Sequence, residues 1–120
     1  MAQSERFAAM LENTLEEARS RAGTVPSQAQ ILAVVTERGP RYFELDYRDP
    51  EARGEDAVLA ALEEDRKVLA VLSVWKGGCL DIPSVYFRQG LLALAPENGE
   101  AYVLLQGEGR ILTKKLADTL

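Results

Sequence analysis

The spacing of apolar residues predicts an amphipathic helix near the start of the chain. Over residues 4–22 apolar positions recur at helical intervals and form one stripe. Ser4 is a suitable N-cap and Gly23 a suitable end for this helix. The stripe consists of Phe7, Met10, Leu11, Leu15 and Ala18.

Two later patterns predict strands. Residues 41–48 alternate strictly, which indicates a half-buried strand with one face in water. Phe43, Leu45 and Tyr47 share the apolar face of this strand. Residues 68–75 are apolar except for Ser73, which predicts a central strand covered on both faces.

Two segments allow a helix or a strand. Ser27 and Gln30 fit a helix-capping box before residues 31–36, but the β-branched side chains of that segment favour the strand that we expect. Residues 91–95 can form a strand, although their apolar spacing also suits the end of a helix over about 85–95, which we favour. The remaining predicted elements are a helix over 51–66 and strands at 80–82, 101–106 and 110–115.

These elements predict one globular domain of class α+β over residues 1–120. It has the N-terminal helix over 4–22 and a mixed body over 28–116. Because most strands come in hairpin pairs, we expect a mostly antiparallel sheet of five to six strands. Two to three helices should pack mainly on one face of this sheet.

The charge balance narrows the partners that we expect. The chain of 120 residues has a net charge of −5, and an acidic surface repels phosphate backbones and anionic lipid. Nucleic acid is therefore an unexpected partner. The first twenty residues contain no uninterrupted apolar stretch and no run is long enough for a bilayer, so we expect no membrane partner and a cytoplasmic location.

The absence of histidine removes several reaction classes. Without it the Ser-His-Asp and Cys-His mechanisms are impossible, and a single cysteine, Cys79, leaves no Cys/His zinc site and no disulfide within the chain. We therefore predict no cofactor and no catalytic residue. We interpret Cys79 as an ordinary small residue at a strand start.

An acidic cluster is the main candidate for binding chemistry. Residues 44–65 contain nine acidic and two basic residues, and Glu44 and Asp46 share one strand face. Their carboxylates could hold Mg²⁺ or Ca²⁺, although a solvated surface explains most charge runs. An enzyme built on these two residues and Asp81 would use Arg48 or Arg88 as its anion contact.

The segment from Asp81 to Arg88 is distinctive but suggests no mechanism. Asp81 or Ser84 is a suitable cap for the helix that follows, and Arg88 is expected to pair with one of them. The sequence alone gives this segment no functional role.

A basic edge and two aromatic residues are candidates for interaction. Arg110, Lys114 and Lys115 lie on the last predicted strand, where lysines also protect a sheet edge from aggregation. Trp75 and Tyr102 are residue types enriched at interfaces. RNA contact through the basic edge is disfavoured by the net charge.

The leading hypothesis is a small non-catalytic accessory module that acts through protein–protein contacts, with a protein partner or with a second copy of itself. It rests on the missing histidine and the segregated charge. The alternative is a small-ligand or divalent-metal binding protein, or an enzyme, that uses the acidic cluster.

Overall fold

The computed structural model describes residues 2–46 and 54–120, which form an α+β fold with three α-helices and a six-stranded sheet. The helices are α1 (Ala2–Ala22), α2 (Gly54–Ala61) and α3 (Val85–Leu94). The strands are β1 (Ala29–Thr36), β2 (Gly39–Asp46), β3 (Val68–Trp75), β4 (Leu80–Asp81), β5 (Tyr102–Gln106) and β6 (Ile111–Lys115). Two short 3-10 helices cover Pro96–Glu100 and Leu116–Thr119. No helix in the described part of the chain is long and apolar enough to span a membrane.

The sheet is mixed. Its strand order is β2-β1-β3-β5-β6, and the short β4 pairs with β3 beside this path. β3 and β5 run parallel because the chain crosses over through β4 and α3 before it returns, whereas the other pairs are antiparallel. The expectation of a mostly antiparallel sheet was therefore wrong, since it missed this crossover.

Two strands carry the core. Every residue of β1 is buried, and so is most of β3, as the apolar run over 68–75 predicted. The ambiguous segment 31–36 belongs to β1, which confirms the strand interpretation. Because β1 and β3 are apolar on both faces, each face must be covered.

Helices cover both faces of the sheet. Leu15, Ala18 and Ala22 of α1 pack in one apolar cluster with the residues of β1 and β3 that point to that side. Val58 of α2 and Leu91 of α3 belong to a second cluster, with the β1 and β3 residues that point the other way. The expectation of helices mainly on one face was wrong, because strands that are buried on both faces need α1 on one face and α2 and α3 on the other.

Packing between α2 and α3 explains a glycine in the middle of α3. A Cβ at Gly90 would lie 2.5 Å from Cδ1 of Leu59 on α2, so the small residue admits the leucine side chain. Residues 91–94 are helical, and the alternative strand over 91–95 is excluded. Gly90 lowers the helix propensity of α3, but tertiary packing overrides that preference.

The alternating strand and the helix after it differ from their predicted bounds. β2 covers Gly39–Asp46 and buries Leu45, while Tyr47 and Arg48 lie outside the described residues. α2 is shorter than the predicted helix over 51–66, since it ends at Ala61. Residues 51–53 are likewise outside the described part.

A buried asparagine joins three parts of the fold. The side chain of Asn98 has no exposed surface. Its Oδ1 accepts from the Val68 amide at 2.9 Å, and its Nδ2 donates to the carbonyls of Arg66 and Leu91, both at 2.8 Å. It thereby ties the start of β3 to the end of α3.

Replacing this amide should destabilise the fold. Asn98→Ala removes the side-chain partner of the Val68 N–H and of the Arg66 carbonyl, and one of the two hydrogen bonds that the Leu91 carbonyl accepts. We therefore expect a loss of about 2–4 kcal/mol in the free energy of unfolding. Urea denaturation measures this loss. The matched control is Asn13→Ala on the exposed side of α1, for which we expect a change within about 0.5 kcal/mol. Equal unfolding midpoints for the two variants would contradict the assigned role.

Candidate functional site

The N-termini of α2 and α3 meet on one face of the sheet and bring two polar side chains together. Glu55 lies in the first turn of α2, and Ser84 is the N-cap of α3. The Ser84 hydroxyl donates a hydrogen bond to the Glu55 carboxylate. It also accepts from the Phe87 amide at 3.1 Å, which confirms Ser84 as the cap of the helix.

A second contact joins the same two helix ends. The Tyr86 hydroxyl donates to the Asp56 carboxylate, next to the Glu55–Ser84 pair. Tyr86 and Val85 are 53% and 51% exposed, so an aromatic ring and an apolar side chain face solvent beside two carboxylates. Both carboxylates are placed where a helix N-terminus favours negative charge. We name this group of residues the α2–α3 junction.

A buried arginine holds the start of α3. Arg88 is 9% exposed, and its Nε donates to the Pro83 carbonyl at 2.8 Å. Its guanidinium also donates to the Thr119 carbonyl at 2.5 Å. The expectation that Arg88 pairs with Asp81 or Ser84 was wrong, because these backbone carbonyls receive its hydrogen bonds. Arg88 thus fixes the residue that precedes the Ser84 cap.

Asp81 has a local role at the end of β4. Its carboxylate accepts from the Trp75 indole at 3.1 Å and from the Ile82 amide at 2.8 Å. It therefore ties β4 to the end of β3 and does not cap α3. Trp75, a predicted interaction residue, is half-buried in this contact.

The two predicted metal ligands lie on β2. Glu44 is exposed on β2, and Asp46 is half-buried at the end of the same strand. Within residues 2–46 and 54–120, no three Asp, Glu or Cys side chains are grouped so that they could hold a metal ion. The cation hypothesis for this pair stays a prediction, whereas Asp81 accepts from Trp75 and Ile82, and Arg88 donates to backbone carbonyls.

The predicted basic surface follows the edge of the sheet. β6 is exposed along its whole length and lies at one end of the strand order, where its lysines are suited to protect the edge. Lys115 forms an ion pair with Glu100 at 2.7 Å, and this carboxylate raises the pKa of the Lys115 ammonium. Lys114 and Arg110 are exposed.

Tyr102 contacts the N-terminal helix. It is 39% exposed, and its ring centroid lies 5.8 Å from that of Phe7. Part of its apolar surface is therefore used inside the fold. An interaction through Tyr102 or the basic edge, with a protein partner or with a second copy, stays a prediction.

The matches of this chain to known proteins come from solved structures. No protein-family model matches the chain, and no curated protein matches it either. Solved structures do match. The cytidine deaminase of Mycobacterium tuberculosis is 22% identical, with a TM-score of 0.54 over 90% of this chain and 89% of that one. The enzyme of Mycobacterium leprae is 18% identical, with a TM-score of 0.57 over 95% and 96%.

A third structure agrees with these two. The cytidine deaminase of Burkholderia pseudomallei is 18% identical, with a TM-score of 0.57 over 90% of this chain and 91% of that one. The fold resembles that of these cytidine deaminases. The hypothesis of a non-catalytic accessory module acting through protein–protein contacts was therefore wrong, because the solved structures that share this fold are enzymes.

The residues of the α2–α3 junction match part of a sequence motif of zinc-dependent nucleobase deaminases. Zinc-dependent nucleobase deaminases carry H-x-E followed by P-C-x-x-C, in which the Glu is the general acid–base and the other residues, or three Cys, hold the metal. Glu55 and Pro83 match the Glu and the Pro, and the hydrogen bond between Glu55 and Ser84 joins the two motifs in space. The carboxyl of the pattern is therefore present.

The metal ligands of the pattern are not present. Ser84 and Phe87 stand at the two Cys positions, and Arg53, which lies outside the described residues, stands at the third. The chain contains no histidine, and its one cysteine, Cys79, is exposed in the turn between β3 and β4. A hydroxyl and an apolar ring do not provide the thiolate or imidazole donors that zinc prefers. The residues at this site do not fit a zinc ion.

The sequence analysis did not single out Glu55 as a candidate site residue. It was counted among the nine acidic residues of segment 44–65, and nothing in the sequence pointed to its hydrogen bond with Ser84. The spacing from Pro83 to Phe87 could have suggested the deaminase pattern, but that pattern is normally recognised by its cysteines and histidine, and they are absent. Only the packing of α2 against α3 reveals the pair.

Removal of the Ser84 hydroxyl should weaken the junction. Ser84→Ala loses both the helix cap and the hydrogen bond to Glu55, and we expect a loss of about 1–2 kcal/mol in the free energy of unfolding. Chemical denaturation measures it, with Ser20→Ala on exposed α1 as the matched control, expected to change by less than about 0.5 kcal/mol. If Ser84→Ala were as stable as the wild type, the contacts of this hydroxyl would not hold the helix ends together.

Proposed function

We propose that the protein binds a small molecule of the nucleoside class at the α2–α3 junction and acts on its base through the Glu55 carboxyl. The observation that carries this proposal is the Glu55–Ser84 pair, which lies where two helix N-termini meet in the fold of the cytidine deaminases. A fold shared with other enzymes does not by itself determine a function, so the argument rests on the groups at this site.

The exposed side chains at the junction suit a nucleobase. The Tyr86 ring offers a flat apolar face with its hydroxyl held by Asp56, and Val85 adds an apolar surface next to it. Aromatic rings stack on bases without regard to sequence, and carboxylates accept hydrogen bonds from ring or exocyclic N–H groups. A base with an exocyclic amine therefore finds both kinds of contact here.

The chemistry that we propose is acid–base assistance to the addition of water. A protonated Glu55 gives its proton to a ring nitrogen of the base, which makes the adjacent amine-bearing carbon more electrophilic. Water adds to that carbon, and the carboxylate takes up a proton from the added water. Glu55 then passes this proton to the amino group, and the C–N bond breaks with its electron pair on the leaving ammonia. The carbon-bound hydroxyl gives its proton back to the carboxylate as the keto group forms. One substrate and one water thus give one keto product and one ammonia, and Glu55 ends protonated, as it began. Such assistance typically contributes about 10²–10⁴ to a rate.

Ser84 is a positioning residue in this scheme. Its hydroxyl is fixed by the Phe87 amide and donates to one oxygen of Glu55, which leaves the other carboxylate oxygen available to a ligand. Holding a reacting group in one orientation removes part of the entropic barrier to proton transfer. Arg88 holds the residue before Ser84 in place through its hydrogen bond to the Pro83 carbonyl.

A substitution at Glu55 tests the proposal. With cytidine and related amino-substituted nucleosides as substrates, release of ammonia by Glu55→Gln should fall by about 10²–10⁴ relative to the wild type. Binding of the same nucleosides, measured by calorimetry, should change much less, because the amide keeps the shape and one acceptor oxygen. Glu64→Gln, at an exposed position after α2, is the matched control and should behave as the wild type.

Two results would overturn the proposal. One is a wild-type protein that binds none of these nucleosides in the calorimeter. The other is equal turnover by Glu55→Gln and the wild type, which would show that the carboxyl takes no part in the reaction.

A further inference from the structure

We propose that the α2–α3 junction is closed without a metal ion, by the Glu55–Ser84 hydrogen bond and the buried ring of Phe87. The matching pattern of zinc-dependent deaminases would place ligands at these positions, so a metal-free junction is a departure from that chemistry. The inference concerns what holds the helix ends together. It does not depend on whether the bound molecule is a nucleoside.

Ser84 already has hydrogen-bond partners and is a poor ligand for zinc. At the first Cys position of the pattern, its hydroxyl is engaged twice, as donor to Glu55 and as acceptor from the Phe87 amide. A neutral hydroxyl is a poor ligand for zinc compared with a thiolate. The hydrogen bond to Glu55 ties the two helix ends together directly, as a shared metal ion would, and the hydrogen bond from the Phe87 amide caps α3.

Phe87 places an apolar ring at the second ligand position. At the second Cys position its side chain is fully buried in the apolar cluster that contains Val58, Leu62 and Leu91. The ring provides no donor atom, and it occupies the space between α3, α2 and the sheet. A close-packed core resists insertion of a polar or charged group, so a metal ion cannot replace these contacts without disrupting them.

The chain offers few other side chains that could bind zinc at the junction. Within these 120 residues there is no histidine, and Cys79 is exposed in the β3–β4 turn beside Gly78, whose carbonyl accepts from Arg19 at 2.9 Å. The remaining oxygen ligands at the junction are Glu55 and Asp56, and each accepts a hydrogen bond from a hydroxyl of α3 or its cap. Across the described residues no group of three ligating side chains forms.

Zinc content and thermal unfolding of the wild-type protein test this proposal. The protein is purified without a chelator, its zinc is quantified by plasma mass spectrometry, and its melting temperature is measured with excess zinc and with EDTA. We expect substoichiometric zinc and the same melting temperature under both conditions, because a ligand that binds only the folded state must raise it. One zinc per chain, or a melting temperature that rises with zinc and falls with EDTA, would overturn the proposal.

A restoring variant tests the same positions in the opposite direction. Arg53→Cys/Ser84→Cys/Phe87→Cys places thiols at all three positions of the pattern and should take up one zinc per chain, with a melting temperature that becomes sensitive to EDTA. The control variant Arg53→Ala/Ser84→Ala/Phe87→Ala should be zinc-free and insensitive to EDTA. If the cysteine variant, purified and refolded in zinc, retained none, Ser84 and Phe87 would not stand at ligand positions and the inference would fail.

Discussion

The burial of β1 and β3 on both faces is the constraint on which the rest of the structure depends. Two neighbouring apolar strands expose twice the apolar surface of a half-buried pair, and each face needs its own cover. α1 covers one face, so α2 and α3 share the other. Sharing that face makes them neighbours, and Gly90 lets Leu59 pack closely between them. The Glu55–Ser84 pair is a consequence of this packing.

The long-range arrangement also sets the order of the sheet. β3 and β5 are parallel because α3 lies in the connection between them, and a crossover of that kind places the start of α3 above the sheet, near α2. Asn98 fixes the end of the same connection to β3, and Arg88 fixes its beginning to the last turn of the chain. The site is therefore supported on both sides by buried polar side chains that hydrogen-bond to the backbone.

Local sequence patterns were sufficient for the elements and insufficient for their arrangement. Periodicity predicted α1, and the apolar run predicted β3, because both depend on neighbouring residues. The mixed sheet and the two covered faces depend on which strands pair at long range, and no local pattern of 31–36 or 68–75 encodes that. The Glu55–Ser84 pair was missed for the same reason, since the two residues lie 29 positions apart in the chain.

The candidate site combines a familiar fold with an altered set of side chains. Glu55 matches the glutamate of the deaminase pattern, whereas Ser84 and Phe87 stand at its two cysteine positions. Without a metal to lower the pKa of water, the reaction that we propose depends on the carboxyl alone and should be slow compared with metal-assisted chemistry. In this proposal the same hydrogen-bonded junction stabilises the fold and binds the ligand.

The most direct test of this account is an amide-resolved NMR titration of the zinc-free protein with cytidine. We expect the amide chemical shifts to change mainly at Glu55, Asp56 and the residues from Ser84 to Phe87, and those of β6 to stay the same. Changes confined to β6 or to the Glu44–Asp46 end of β2, or no changes at saturating nucleoside, would contradict it.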